Sequence, residues 1–164
     1  RCPVKMPEDL ADIYDSIFYH MTDREFLRFW NIGKTVESFS GKIVTAGEQP
    51  DSVYLVMQGS AKVQNETGTV ATLKRGGFIG EMSYVSNRPP AADVTAGEGL
   101  VCQVWERSEL QKLKIKEHAL WVKMQQALGH DLVTKVNRMS EQRFTGDGSL
   151  LEKASRMTNR KTQE

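Results

Sequence analysis

The chain has 164 residues, enough for one domain with flanking segments and a core that hides roughly 70% of the unfolded surface. Its 22 Lys and Arg stand against 21 Asp and Glu, a net charge of +1, which is not the basic excess that nucleic-acid binding shows. No run of about 20 apolar residues exists, so nothing in it reads as a membrane-spanning helix, and no signal peptide is visible.

The first elements are helical. Leu10, Ile13, Tyr14, Ile17, Phe18 and Met21 recur at helical spacing over residues 8–21 and give one apolar face. Thr22 opens the next segment, with Glu25 three residues on, the pattern of a capping box. Phe26, Phe29 and Trp30 continue as an apolar stripe, and Gly33 suits the C-terminal cap.

After residue 34 the texture changes to short β-rich runs: KTVESF, KIVTAG, SVYLVMQG, AKVQ, TVATL, AADVTA and LVCQVWE. Turn signals (SGK, GEQPD, QGS, NETG, RGG, AGEG) separate them, which predicts an all-β sandwich or barrel. Val53, Leu55 and Met57 alternate with Tyr54, Val56 and Gln58, so that strand is expected to be covered on both faces. Cys102 lies in an apolar run 100 residues from Cys2, and a buried thiol is expected rather than a disulfide.

Helical character returns at Ser108, where SELQ repeats the capping-box pattern with Gln111 at the third position. A longer helix is expected over residues 117–143, with Trp121, Met124, Leu128, Leu132, Val136 and Met139 on one side and Gly129 interrupting it. That stripe serves either as packing against the β-rich part and the first helix, or as a dimer seam. From Thr145 the text is polar and weakly periodic and reads as a mobile tail.

The stretch GGFIGEMSYVSNRPPAADVTA, residues 76–96, carries the chemistry. It combines a glycine turn, a carboxylate, a short helical turn and a return strand. Together with DSVYLVMQGSAKV at 51–63 and the turn bearing Gly47 and Asp51, it resembles the cyclic nucleotide-binding domain over roughly residues 34–140. The helical preface YDSIFYHMTDREFLRFWNIGK, 14–34, looks like the bacterial and Popeye-like branch of that superfamily, in which the β-roll commonly follows membrane helices.

The resemblance implies an α+β fold: a β-roll, or jelly-roll-like antiparallel barrel, flanked by N-terminal helices and a long C-terminal helix. The expected organisation is a helical segment at 1–33, the β-roll at 34–107 with its phosphate cassette at 76–94, C-terminal helices at 108–144 and the tail at 145–164. It also implies the ligand, cAMP or cGMP, and residue roles. Gly80 allows close backbone approach, Glu81 accepts from the ribose 2′-OH, Met82 and Ser83 offer N–H groups to the phosphate, and Ala91 and Ala92 are the small residues beside it.

The chain departs from the family at two positions. Where the pattern runs Pro-Arg-Ala-Ala-Thr-Val, it has Pro89-Pro90-Ala91-Ala92-Asp93-Val94. Pro90 has no donor, and an ionised Asp93 only accepts. An Asp93 carboxylate about 4 Å from a phosphate would cost about 1 kcal/mol in bulk water and about 4 at a surface-like dielectric. Arg88 is the nearby cation, either reaching the phosphate or pairing with Asp93.

The expected function is a regulatory sensor domain with weak or altered cAMP or cGMP binding. The alternative is a ligand-free scaffold that mediates dimerisation or membrane-complex assembly. His20, His118 and His130 lie outside the β-rich part, and no nucleophile–base pairing or clustered metal ligands stand out, so no enzyme and no metal are expected. Expected partners are a cyclic nucleotide and a second copy through the N- and C-terminal helices, with no nucleic acid. The chain begins at Arg1 and reads as a fragment or processed form, cytoplasmic, joined to a membrane only through a segment outside it.

Overall fold

A computed structural model describes residues 5–130. A 3-10 turn, Glu8–Leu10, leads into α1, Ala11–Ile17, and α2, Asp23–Ile32. The first helix stops at Ile17, short of the Met21 expected from its periodicity: Phe18 leaves the helical region and Met21 N donates to Phe18 O as the chain folds back. Thr22 then starts α2 with both arms of the capping box made, Glu25 N to Thr22 Oγ1 at 3.2 Å and Thr22 N to Glu25 Oε1 at 2.9 Å.

Eight strands follow: β1 Lys34–Val36, β2 Lys42–Val44, β3 Ser52–Gln58, β4 Ala61–Asn65, β5 Gly68–Leu73, β6 Phe78–Ile79, β7 Asp93–Ala96 and β8 Val101–Glu106. A six-residue helix, α3 (Glu81–Ser86), lies between β6 and β7. After β8 come α4, Arg107–Lys116, and a further helix, α5, over 118–130. The strands form two antiparallel four-stranded sheets, ordered β1-β8-β3-β6 and β2-β7-β4-β5. The architecture is the expected α+β one of antiparallel sheets flanked by helices.

Two apolar cores explain the pattern of β3. Val53 and Leu55 face the helices, packing with Ile13, Phe18, Phe26, Phe29, Trp105, Leu110, Met124 and Leu128. Val56 faces the opposite way, into the space between the sheets, with Val44, Ala61, Ile79, Val94 and Cys102. Both faces are therefore covered, and the mixed apolar alternation follows. Cys102 is a buried free thiol, and burial pushes its pKa up to about 12.

Trp105 joins β8 to the helices. Its ring stacks on Phe29 at 4.8 Å and its Nε1 donates to Phe29 O at 2.9 Å. Gly33 does end α2, but in extended backbone (φ −82°, ψ 176°) rather than the left-handed form usual at a C-cap. Glycine is required there by proximity: a Cβ would lie 2.8 Å from Trp105 Nε1. The buried amide of Gln103 is satisfied by Trp30 O and Thr35 Oγ1.

The second expected capping box does not form. α4 begins at Arg107, ahead of Ser108, with Glu106 as an uncapped N-cap. Arg107 N is already engaged by Asp51 O at 2.8 Å, so β8 runs directly into the helix. Glu117 breaks the helical path (φ −136°, ψ 63°), and α5 starts one residue later than expected. Leu120, Met124, Ala127 and Leu128 are buried in the helical core. A Cβ on Gly129 would meet nothing within 4 Å. Leu132, Val136, Met139 and the 145–164 tail lie outside the described residues, as does Cys2.

Candidate functional site

The segment 76–96 runs from the edge of the β3 sheet, through β6 and α3, to β7 in the other sheet. Gly76 turns in the left-handed region (φ 91°), and the hydrogen bonds Gly76 N to Val56 O and Val56 N to Gly77 O, both 2.9 Å, fix the glycine pair against β3. β6 then pairs Phe78 with Leu55 and Ile79 with Tyr54. Gly80 caps α3 with φ 83° and ψ 0°, and a Cβ there would stand 3.0 Å from Ser52 O. Conformation and space both call for glycine at this position.

α3 turns its first residues in opposite directions. Glu81 is 1% exposed and Ser83 3%, whereas Met82 is 44% exposed. A fully buried carboxylate at the start of a six-residue helix is unusual among carboxylates, which seldom bury fully unless partnered. The helix ends at Asn87 in the left-handed region (φ 56°, ψ 30°), which Asn tolerates better than most residues.

Side chains from three other places in the chain hold α3. Gln49 Nε2 donates to Ser83 O at 3.1 Å, Trp121 Nε1 donates to the Tyr84 hydroxyl at 2.8 Å, and Arg107 Nη2 donates to Asn87 Oδ1 at 2.7 Å. The Arg107 guanidinium also lies over the Tyr84 ring at 5.8 Å. Trp121 is in turn stacked by His118 and faced by the Lys114 ammonium at 4.9 Å.

The return limb, Arg88 to Asp93, is held by the β2–β3 turn. Gly47 N donates to Pro90 O at 2.9 Å and Ala46 N to Asp93 Oδ1 at 2.7 Å. Asp93 also forms an ion pair with Lys42 at 3.2 Å. The Ala46 N–H first, and the Lys42 ammonium with it, hold the Asp93 carboxyl below its ordinary pKa.

The expected pairing of Asp93 with Arg88 is thereby corrected. β7 places Val94 toward the space between the sheets, so Asp93 points the other way, toward β2 and its lysine. Its charge is engaged there by the Lys42 ammonium and the Ala46 N–H. Arg88 is exposed beyond the end of α3; its backbone N–H donates to Ser86 Oγ, and its guanidinium makes no ion pair among the described residues. Pro90 is half-buried, Ala91 exposed and Ala92 half-buried.

Gly80, Glu81, Met82 and Ser83 thus lie at one end of the segment and Ala91, Ala92 and Asp93 at the other, with the β2–β3 turn hydrogen-bonded to both limbs. On α5, Trp121 reaches α3, Met124 is buried in the helical core and Gln125 is half-buried. Gln49, Lys42, Asn87 and Arg107 carried no sequence signal for these roles, because each acts across a long separation in the chain. A separate groove of about 160 Å³ between α2 and α4 is lined by Arg28, Ile32, Leu113 and Lys116 and contains none of these residues. Among the described residues no group of three His, Cys, Asp or Glu is placed to hold a metal ion, and no helix is long and apolar enough to cross a membrane.

Two antiparallel sheets with a glycine-framed loop and helix at one edge, braced by C-terminal helices, define a β-roll with a cassette. Residues 42–116 match the family described as the cyclic nucleotide-binding domain. Over 73 residues it is 38% identical to a cAMP-dependent protein kinase regulatory subunit from Yarrowia lipolytica, covering 43% of this chain and 20% of that protein. A regulatory subunit from Blumeria graminis is 31% identical over 120 residues, covering 62% of this chain and 31% of that protein. The chain therefore spans between a fifth and a third of these curated relatives. The crystal structure of a cyclic nucleotide-binding domain from Methylobacillus flagellatus superposes with a TM-score of 0.75 at 21% identity, covering 85% of this chain and 83% of the other.

Proposed function

We propose that this domain is a regulatory sensor that binds a cyclic nucleotide, cAMP or cGMP, at residues 76–94 and passes the occupancy of that site to α4 and α5. The observation that carries the reading is the framed start of α3, with left-handed Gly80 followed by buried Glu81. It supports a role for Glu81 toward the ribose hydroxyl, with the α3 and Ala91–Ala92 backbone N–H groups toward the phosphate. Relatives named as cAMP-dependent kinase regulatory subunits support the ligand class.

Pro90 sets the affinity. Where the resembled pattern has arginine, this chain has neither cation nor N–H, so binding depends on backbone donors and on Arg88 if its side chain swings inward. A charge-assisted hydrogen bond contributes about 1.5–3 kcal/mol, so its absence weakens binding about tenfold to a hundredfold. The output route is the bond between Tyr84 and Trp121. A ligand that moves α3 must move α5 or break that contact, and it shifts the equilibrium only by its differential affinity for the two arrangements.

The ligand-free scaffold is the second reading, favoured by Pro90 and by an α3 already pinned from three sides. Membership of the Popeye-like and bacterial membrane-associated branch, and a dimer through the flanking helices, belong to the proposal and rest on the helical preface and the α5 stripe. The deciding experiment is equilibrium binding of cAMP and of cGMP to the chain and to Glu81→Gln, which keeps the shape of the side chain and removes its charge. Saturable binding that weakens in the variant supports the sensor; no binding at millimolar nucleotide supports the scaffold.

A further inference from the structure

We propose that Gln49 is a positioning residue for the cassette: its side-chain amide is the pin by which the β2–β3 turn holds α3 to the β-roll. The inference rests on the reading of residues 76–94 as a nucleotide cradle, and it names a residue of the turn as a determinant of that cradle.

α3 has six residues, and a helix that short does not sustain itself in water. Its last four carbonyls have no helical donors of their own. Ser83 is the first of these, and Gln49 Nε2 supplies the missing donor at 3.1 Å. The other two external pins, Trp121 on Tyr84 and Arg107 on Asn87, both come from beyond β8 and act on the C-terminal half of α3. Gln49 comes instead from the turn whose Gly47 and Ala46 N–H groups hold Pro90 and Asp93 on the return limb. One turn is thus hydrogen-bonded to both sides of the cradle, and Gln49 is its bond to the helical side.

The consequence is mechanical. With Gln49 in place, α3 keeps its distance from the return limb while its far end stays tied to α5. Without it, α3 loses its tie to the β2–β3 turn, while its C-terminal half still follows the C-terminal helices. The gap a cyclic phosphate must fit would then vary, and affinity would fall even though Gln49 need not touch the ligand. Pro90 makes this more telling, because position 90 offers no cation to offset a misplaced α3.

The test uses the full chain with Gln49→Met, which keeps the length of the side chain and lacks the donor, and Gln49→Lys, which restores one. Two quantities are measured: the Kd for cAMP, and the hydrogen-exchange rates of the α3 amides without nucleotide. The expected result is that Gln49→Met weakens cAMP binding about threefold to tenfold, the loss of one neutral hydrogen bond. Its α3 amides exchange faster while the β3 and β8 amides keep wild-type rates, and Gln49→Lys returns the α3 rates toward wild type. Unchanged α3 exchange in Gln49→Met overturns the proposal, whatever happens to binding, and so does faster exchange with unaltered cAMP affinity. A wild-type chain that takes up neither cAMP nor cGMP overturns the functional reading instead. The exchange measurement then decides the pin alone, since it needs no ligand.

Discussion

Pro90 and Asp93 are the two residues at which this cassette departs from the resembled pattern, and their surroundings differ. Asp93 is turned toward β2, with Lys42 and the Ala46 N–H satisfying its carboxylate. On the proposed reading, Pro90 is therefore the residue that limits affinity. Pro90→Arg is expected to tighten cAMP binding about tenfold to a hundredfold by adding a charge-assisted pair. Asp93→Thr alone is expected to change affinity little and to lower thermal stability by releasing Ala46 and Lys42. Titration of the two single variants checks both; equal gains from each would place Asp93 at the phosphate after all.

The residue scale also sets an acid response. Arg75 bonds both carboxylate oxygens of Asp12 at 2.8 Å, and it holds that carboxyl at about 2. An unfolded Asp titrates near about 3.9, so folding favours the ionised form. The stabilisation is complete above the unfolded value and is lost as pH falls through the folded one. Between about pH 4 and about pH 2, denaturant midpoints of the wild type should fall more steeply than those of Asp12→Asn. Parallel slopes would mean that this exposed pair contributes nothing.

At the scale of elements, α3 is the part that tertiary contacts make rather than its own sequence. Tyr84→Phe removes the acceptor for Trp121 Nε1 and is expected to lower stability by about 1 kcal/mol, leaving a half-buried indole N–H without its partner. It should also blunt any nucleotide-induced change in Trp121 fluorescence. Helix α2 is the opposite case. Its capping box is written locally as Thr22 and Glu25, and Thr22→Ala should cost about 1 kcal/mol by chemical denaturation, with no effect on ligand binding.

Legibility follows the same division. Thr22–Glu25, the two-faced β3 and the glycine frame of α3 are encoded within a few residues of one another, and the sequence was sufficient to place them. Ser108 carries an equally good local pattern, yet α4 starts at Arg107, because Asp51 O takes the Arg107 N–H across the sheet edge. Gly33 was legible as a helix end, but not for the right reason: Trp105, 72 positions later, occupies the space a side chain would need. The partners of Asp93 and α3 were hidden because Lys42, Gln49, Arg107 and Trp121 meet them only through the packing of distant elements.

At the scale of the whole molecule, the two cores divide the labour. The core between the sheets fixes β6 and β7, which bracket α3, while the helical core fixes α2, α4 and α5 against the outer face of β3 and β8. α3 lies where the two systems meet, tied to one by Gln49 and to the other by Tyr84 and Asn87. That placement is what a sensor needs: an element whose position the ligand sets and the C-terminal helices read. It makes the binding of a cyclic nucleotide the claim on which the rest depends. Calorimetric titration of the chain with cAMP and cGMP, repeated with Glu81→Gln, tests it most directly. The account predicts weak, saturable binding of at least one nucleotide that is lost or greatly reduced in the variant. Absence of binding at millimolar nucleotide, or binding that Glu81→Gln leaves intact, would contradict it.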